Sequence, residues 1–82
     1  MNRVKLLFFA TLRDRAGTKS LELDIPGDLT VQGLKDKIST EYPGLRESMS
    51  SVLITINREY AFDDAVIPPN AELAMFPPVS GG

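Results

Sequence analysis

Val4-Lys5-Leu6-Leu7-Phe8-Phe9-Ala10 is the stretch whose reading decides the fold. Seven residues are too few for a helix that stands alone. Aliphatic and aromatic side chains fill the run, so it reads as a strand. Alternation puts Val4, Leu6 and Phe8 on one face and Lys5, Leu7 and Phe9 on the other. Both faces therefore carry large apolar groups. One face lines a core, and the other must be covered by more of the same chain or by a partner protein. Alternation alone does not say which of Phe8 and Phe9 faces outward.

Working outward, residues 11–18 read as a polar connection, with Gly17 at a positive-φ position. Residues 19–25 alternate cleanly, Leu21, Leu23 and Ile25 inward and Ser20, Glu22 and Asp24 outward, which predicts a half-buried strand antiparallel to the first. Pro26-Gly27-Asp28 breaks it. Thr30 is a good N-cap, with Leu29 before it placed to pack on Leu34. Val31, Leu34 and Ile38 then recur at helical spacing, while Lys35, Asp36, Lys37 and Glu41 take the solvated face. Gly33 weakens this helix by about 1 kcal/mol against Ala. Tyr42-Pro43-Gly44 ends it. Residues 45–51 form a helical turn or loop anchored by Leu45 and Met49.

Residues 52–57, Val-Leu-Ile-Thr-Ile-Asn, are dense in β-branched side chains and predict a strand. Asn57-Arg58-Glu59 is a turn candidate, Tyr60-Ala61-Phe62 a short returning strand, and Asp63-Asp64 a further turn rather than a metal pair. Ala65-Val66-Ile67 is an apolar anchor, and residues 72–76 form the last strand. Strand, strand, helix, strand, short strand, strand is the order of a two-layer α+β domain, a sheet of four or five strands over one main helix.

Composition narrows the chemistry. The 82 residues suffice for one small core, and 43% hydrophobic with 24% charged residues is ordinary for a globular domain. The net charge of −2 argues against nucleic acid as a partner. No apolar run approaches the roughly 20 residues of a membrane span. Met1-Asn2-Arg3-Val4-Lys5 leads straight into a strand, so no signal peptide is expected and a cytoplasmic location is the default. With neither cysteine nor histidine there is no disulfide, no thiolate nucleophile and no imidazole base, and no metal site is expected.

The chain ends Pro77-Pro78-Val79-Ser80-Gly81-Gly82. The prolines cannot continue a central ladder, so a domain of residues 1–76 is expected to give way to an extended tail, 77–82. Six residues reach roughly 20 Å at full extension. Glycines suit a narrow channel and a close backbone approach. The group such an arm presents is the terminal carboxylate of Gly82. The alternative is a frayed end.

Three stretches together resemble the small, sulfur-carrying subunit of molybdopterin synthase, a ubiquitin-like family. They are Leu7-Phe8-Phe9-Ala10-Thr11-Leu12-Arg13 with Ala16-Gly17-Thr18, then Leu29-Thr30-Val31 with Leu34, then Glu72 through Gly82. A terminal Gly-Gly occurs in several ubiquitin-like modifiers, whereas Pro-Pro-Val-Ser-Gly-Gly joined to Phe-Phe-Ala is far more specific. The resemblance implies a β-grasp fold with the last strand parallel to the first at the centre of a mixed sheet. It implies that an adenylyltransferase related to ubiquitin-activating enzymes uses ATP to adenylate Gly82. A sulfur donor protein then makes the thiocarboxylate. Pro77, Pro78, Val79, Ser80 and Gly81 enter the large synthase subunit, where the sulfur passes to cyclic pyranopterin monophosphate. A heterotetramer, two small subunits flanking a large-subunit dimer, is the expected assembly. On this reading the carrier holds no permanent cofactor and is not catalytic alone, and Phe8, Phe9 and Phe76 are candidates for its docking surface. The family often has Gly-Asp before the last strand; Pro69-Asn70-Ala71 stands here, and Asn tolerates the left-handed conformation. The sulfur carrier of thiazole biosynthesis and a protein modifier are the competing readings.

Overall fold

In the computed structural model, which describes residues 2–78, the opening stretch becomes β1 (Asn2–Phe8) and the closing one β5 (Glu72–Phe76). Between them lie α1 (Ala10–Ala16), β2 (Ser20–Ile25), α2 (Val31–Glu41), β3 (Leu53–Ile56) and β4 (Glu59–Tyr60), with short 3-10 turns at Pro43–Leu45 and Glu47–Ser50. The sheet order is β2-β1-β5-β3-β4. β1 and β5 run parallel, and the other three neighbouring pairs are antiparallel. This is the mixed α+β arrangement expected, with the last strand paired on both sides.

Register assigns each side chain to a face, because Cα partners on adjacent strands point the same way. Leu6 opposite Leu73 and Phe8 opposite Met75 face α2, as do Ile54 opposite Met75 and Ile56 opposite Leu73. Val4, Leu6, Phe8, Ile54, Leu73 and Met75 are buried, and Val31, Leu34 and Ile38 of α2 meet them in one core. Leu45 and Met49 of the 3-10 turns close one end of it, and Ile67 joins it from the loop before β5.

The start of α2 is built as its sequence suggests. The Thr30 hydroxyl accepts from the Gly33 amide at 3.2 Å. Leu29, however, lies on Gly33: a Cβ there would sit 2.5 Å from Leu29 Cδ1. The glycine that weakens the helix locally is where a neighbouring leucine packs. Lys35 also departs from expectation. It is buried rather than on the solvated face, and its Nζ donates to Asp63 at 2.7 Å. The loop that carries Asp63 also covers the helix N-terminus, its Asp63 and Ala65 carbonyls accepting from the amides of Gln32 and Val31, each at 2.9 Å.

Residues 11–18 are not a simple polar connection. α1 occupies most of them and sends Leu12 into the core at 1% exposure. Gly17 ends the helix at φ 76°, its amide donating to the Arg13 carbonyl, so the positive-φ reading holds. The returning strand is Glu59–Tyr60 rather than Tyr60–Phe62. Asn70 has φ 59°, the left-handed conformation expected where an Asn stands before the last strand.

Candidate functional site at the exit of the last strand

β5 ends at Phe76, followed by Pro77, half-buried, and Pro78, exposed. Val79, Ser80, Gly81 and Gly82 lie outside the described residues. What surrounds the exit is the outer face of the sheet, opposite α2. Register places Lys5, Leu7 and then Phe9 on it from β1 and its end. Glu72, Ala74 and Phe76 come from β5, Leu53 and Thr55 from β3, and Tyr60 from β4. The face is polarised. Its apolar half gathers where β1 and β5 finish. Its other half is charged, with Arg3 paired to Glu22 at 3.3 Å and to Asp24 at 3.2 Å, and Lys5 between Glu22 and Glu72 in register.

Phe8 and Phe9 divide cleanly. Phe8 is 2% exposed and packs edge-on against Tyr42, so it belongs to the core and presents no docking surface. Phe9 is 40% exposed and stacks on Phe76, ring centroids 4.7 Å apart and planes within 12°. The Phe9 amide donates to the Met75 carbonyl at 3.2 Å, which carries the β1–β5 pairing to the last residue before the exit. Ala10, next in the chain, has φ 53°. The chain thus turns sharply away once Phe9 is set against Phe76.

Leu7, Phe9, Thr55, Tyr60, Ala74 and Phe76 line a shallow groove of about 340 Å3, with Arg58 and Glu72 at its margin. Leu53 and Tyr60 are exposed beyond the usual for their size, as is Phe62 at 85%. Of these residues the sequence singles out Phe9 and Phe76. The β3 and β4 contributors follow only from strand pairing, although alternation along β3 already puts Leu53 and Thr55 on one side. Among the described residues no group of acidic side chains is arranged to hold a metal, and Asp63-Asp64 is a turn. No helix among the described residues is long and apolar enough to cross a membrane. The body therefore offers an exposed apolar face and, beside it, a chain leaving a strand paired on both sides.

Comparison with known proteins agrees with this geometry. A molybdopterin synthase sulfur carrier subunit from Arabidopsis thaliana is 38% identical over 79 residues, covering 96% of this chain and 82% of that protein. Its namesake from Homo sapiens is 30% identical over 83 residues, covering 98% and 94%. The crystal structure of H. volcanii small archaeal modifier protein 1 superposes with a TM-score of 0.83 at 26% identity, covering 96% of this chain and all of that one. A family model matches residues 6–82, nearly the whole length, and by that match this chain belongs to the ThiS family.

Proposed function

We propose that this chain is the sulfur-carrier subunit of a molybdopterin synthase and works through the carboxylate of Gly82. The observation that carries the reading is the placement of β5. It is paired on both sides and ends at Phe76, so the C-terminal segment starts from the rim of an exposed apolar face. Curated relatives of nearly the same length bear the name of that subunit.

The chemistry needs little from the body. A carboxylate is a poor electrophile. Attack of the carboxylate on the α-phosphorus of ATP forms an acyl-adenylate with release of pyrophosphate, and AMP is then a good leaving group. Attack by hydrosulfide released from the sulfur donor expels AMP and leaves a thiocarboxylate at Gly82, whose sulfur is the nucleophile handed on to cyclic pyranopterin monophosphate. The general acids and bases for these steps come from the partners; the chain has no cysteine and no histidine with which to supply them. The partners are an adenylyltransferase of the ubiquitin-activating type, a sulfur donor protein and the large synthase subunit, in the cytoplasm. A heterotetramer of two small subunits flanking a large-subunit dimer fits a carrier with one apolar face.

The test is mass spectrometry of the intact chain after incubation with the activating enzyme, ATP and a sulfur source. The expected result is a gain of about 16 Da at the C-terminus, sulfur for oxygen. No gain under conditions that charge a known carrier overturns the reading. Likeness to the small archaeal modifier favours a second role, conjugation of Gly82 to target lysines, for which Gly-Gly remnants on lysine after protease digestion are the sign. Co-purification with a large molybdopterin synthase subunit, and not with a thiazole synthase, separates the proposal from the thiazole carrier.

A further inference from the structure

We propose that Arg58 is a docking residue whose guanidinium meets a carboxylate on the protein that covers the apolar half of the outer face. The inference rests on the reading that the large synthase subunit is that protein.

Asn57 and Arg58 are the two residues between β3 and β4, joined across by the pair Ile56 and Glu59. Their φ angles are 51° and 73°. A two-residue hairpin turn with both central residues at positive φ suits Asn followed by Gly. Asn57 fits its place. Its amide donates to the Glu72 carbonyl at 2.8 Å, and its Oδ1 accepts from the Glu72 amide at 2.9 Å, which fastens the turn to the start of β5. Arg58 does not fit. A long side chain at positive φ is strained, because its Cβ crowds the backbone.

Among the described residues no side-chain hydrogen bond of Arg58 offsets that strain. The Arg58 side chain is 90% exposed, and its nearest acidic oxygen, Glu72 Oε1, is 3.9 Å away, beyond hydrogen-bond distance. Yet the turn sets Arg58 at the margin of the groove formed by Leu7, Phe9, Tyr60, Ala74 and Phe76. A rigid, strained turn that presents a cation beside the exposed apolar surface is an arrangement that recognition explains and folding does not.

The other flank agrees. Lys5, Arg13 and Lys19 share a second groove with Leu7 and Phe9, and none of the three takes part in the ion pairs among the described residues. The chain as a whole is acidic, so cations on both flanks of one apolar surface do not reflect a general excess. The partner this face fits is a protein surface with an apolar centre and carboxylates at its rim.

The experiment compares the wild-type chain with Arg58→Gly and Arg58→Lys, first alone by thermal denaturation. The chains are then bound to the large molybdopterin synthase subunit of the same organism by titration calorimetry over a range of salt. Arg58→Gly is expected to melt about 2–5 °C higher, since glycine relieves the strain but loosens the unfolded chain. It is expected to bind about fivefold more weakly at low salt. The deficit should shrink to about twofold or less near roughly 1 M NaCl, where the screening length is about 3 Å. Arg58→Lys keeps the charge and the strain, and so both wild-type melting and wild-type affinity. Unchanged affinity of Arg58→Gly at low salt overturns the proposal and leaves the carrier reading intact. So does a deficit that is equal at all salt concentrations, which would come from a loosened turn. Failure of the wild-type chain to bind the large subunit overturns the carrier reading, and the role given to Arg58 with it.

Discussion

Replacing Phe9 by Ala tests whether the apolar end of the sheet stabilises the domain as well as offering a surface. Phe9 is 40% exposed, so about three-fifths of it is covered, chiefly by Phe76. Full burial of such a side chain is worth about 1.5–3 kcal/mol, which scales here to about 1–2 kcal/mol. The offset stack with Phe76 adds about 0.5–1.5 kcal/mol. The hydrogen bond from the Phe9 amide to Met75 belongs to the backbone and survives the change. The expected loss is therefore about 2 kcal/mol, or a fall in Tm of about 8–16 °C for a domain of this size.

Chemical and thermal denaturation of Phe9→Ala, Phe76→Ala and the double variant measure both quantities. The double variant should lose less than the sum of the singles by the stacking energy, about 0.5–1.5 kcal/mol. A Tm for Phe9→Ala within about 2 °C of wild type, or strict additivity of the two changes, refutes the reasoning. Additivity would mean that the rings lie near each other without interacting, and an unchanged Tm that the covered part of Phe9 contributes nothing either.

Deleting Gly81-Gly82 should leave the Tm within about 2 °C of wild type, because the buried core runs from Val4 to Met75. The same deletion should abolish the C-terminal mass gain on incubation with the activating enzyme. Asn57→Ala should cost about 2 kcal/mol, from the lost acceptor for the Glu72 amide and from alanine at φ 51°, read by urea denaturation; Asn57→Gly separates the two contributions. Thr30→Ala should cost about 1 kcal/mol through the lost cap on the Gly33 amide, with a matching fall in Tm and no effect on sulfur loading.

How much of this was legible in the sequence depends on whether a residue's environment is set by its neighbours in the chain. The inward row Val4, Leu6 and Phe8 and the stripe Val31, Leu34 and Ile38 follow from local periodicity, and all six are buried. The bounds of the last strand, Glu72–Phe76, follow from Pro77. α1 was hidden because one core residue in seven, Leu12, carries no periodic signal. Lys35 sits among charged neighbours and reads as solvated. Its burial comes from the loop at residues 61–66, which folds back over α2 and supplies Asp63, 28 positions away. Gly33 reads as a flaw until Leu29 is seen lying on it. The apolar outer face was half legible. Leu7 and Phe9 mark it from β1, but Leu53, Thr55 and Tyr60 join only through pairings that no single segment contains.

Strand direction ties the apolar half of the outer face to the exit of β5. Because β1 and β5 are parallel, both finish at the same end of the sheet, the end where Leu7, Phe9, Ala74 and Phe76 collect. With β5 reversed, the C-terminal segment would start beside Arg3 and Glu22, at the charged end, and the apolar face would dock a partner with the carboxylate on the far side. Six residues beyond Phe76 reach roughly 20 Å. On the proposed function, the site that receives Gly82 lies within that distance of the Phe9–Phe76 stack. A large synthase subunit docked on the apolar half, as proposed above, would hold its active site within range. The crossover from β1 to β5 is what brings the apolar half of the face and the start of the C-terminal segment to one side of so small a domain.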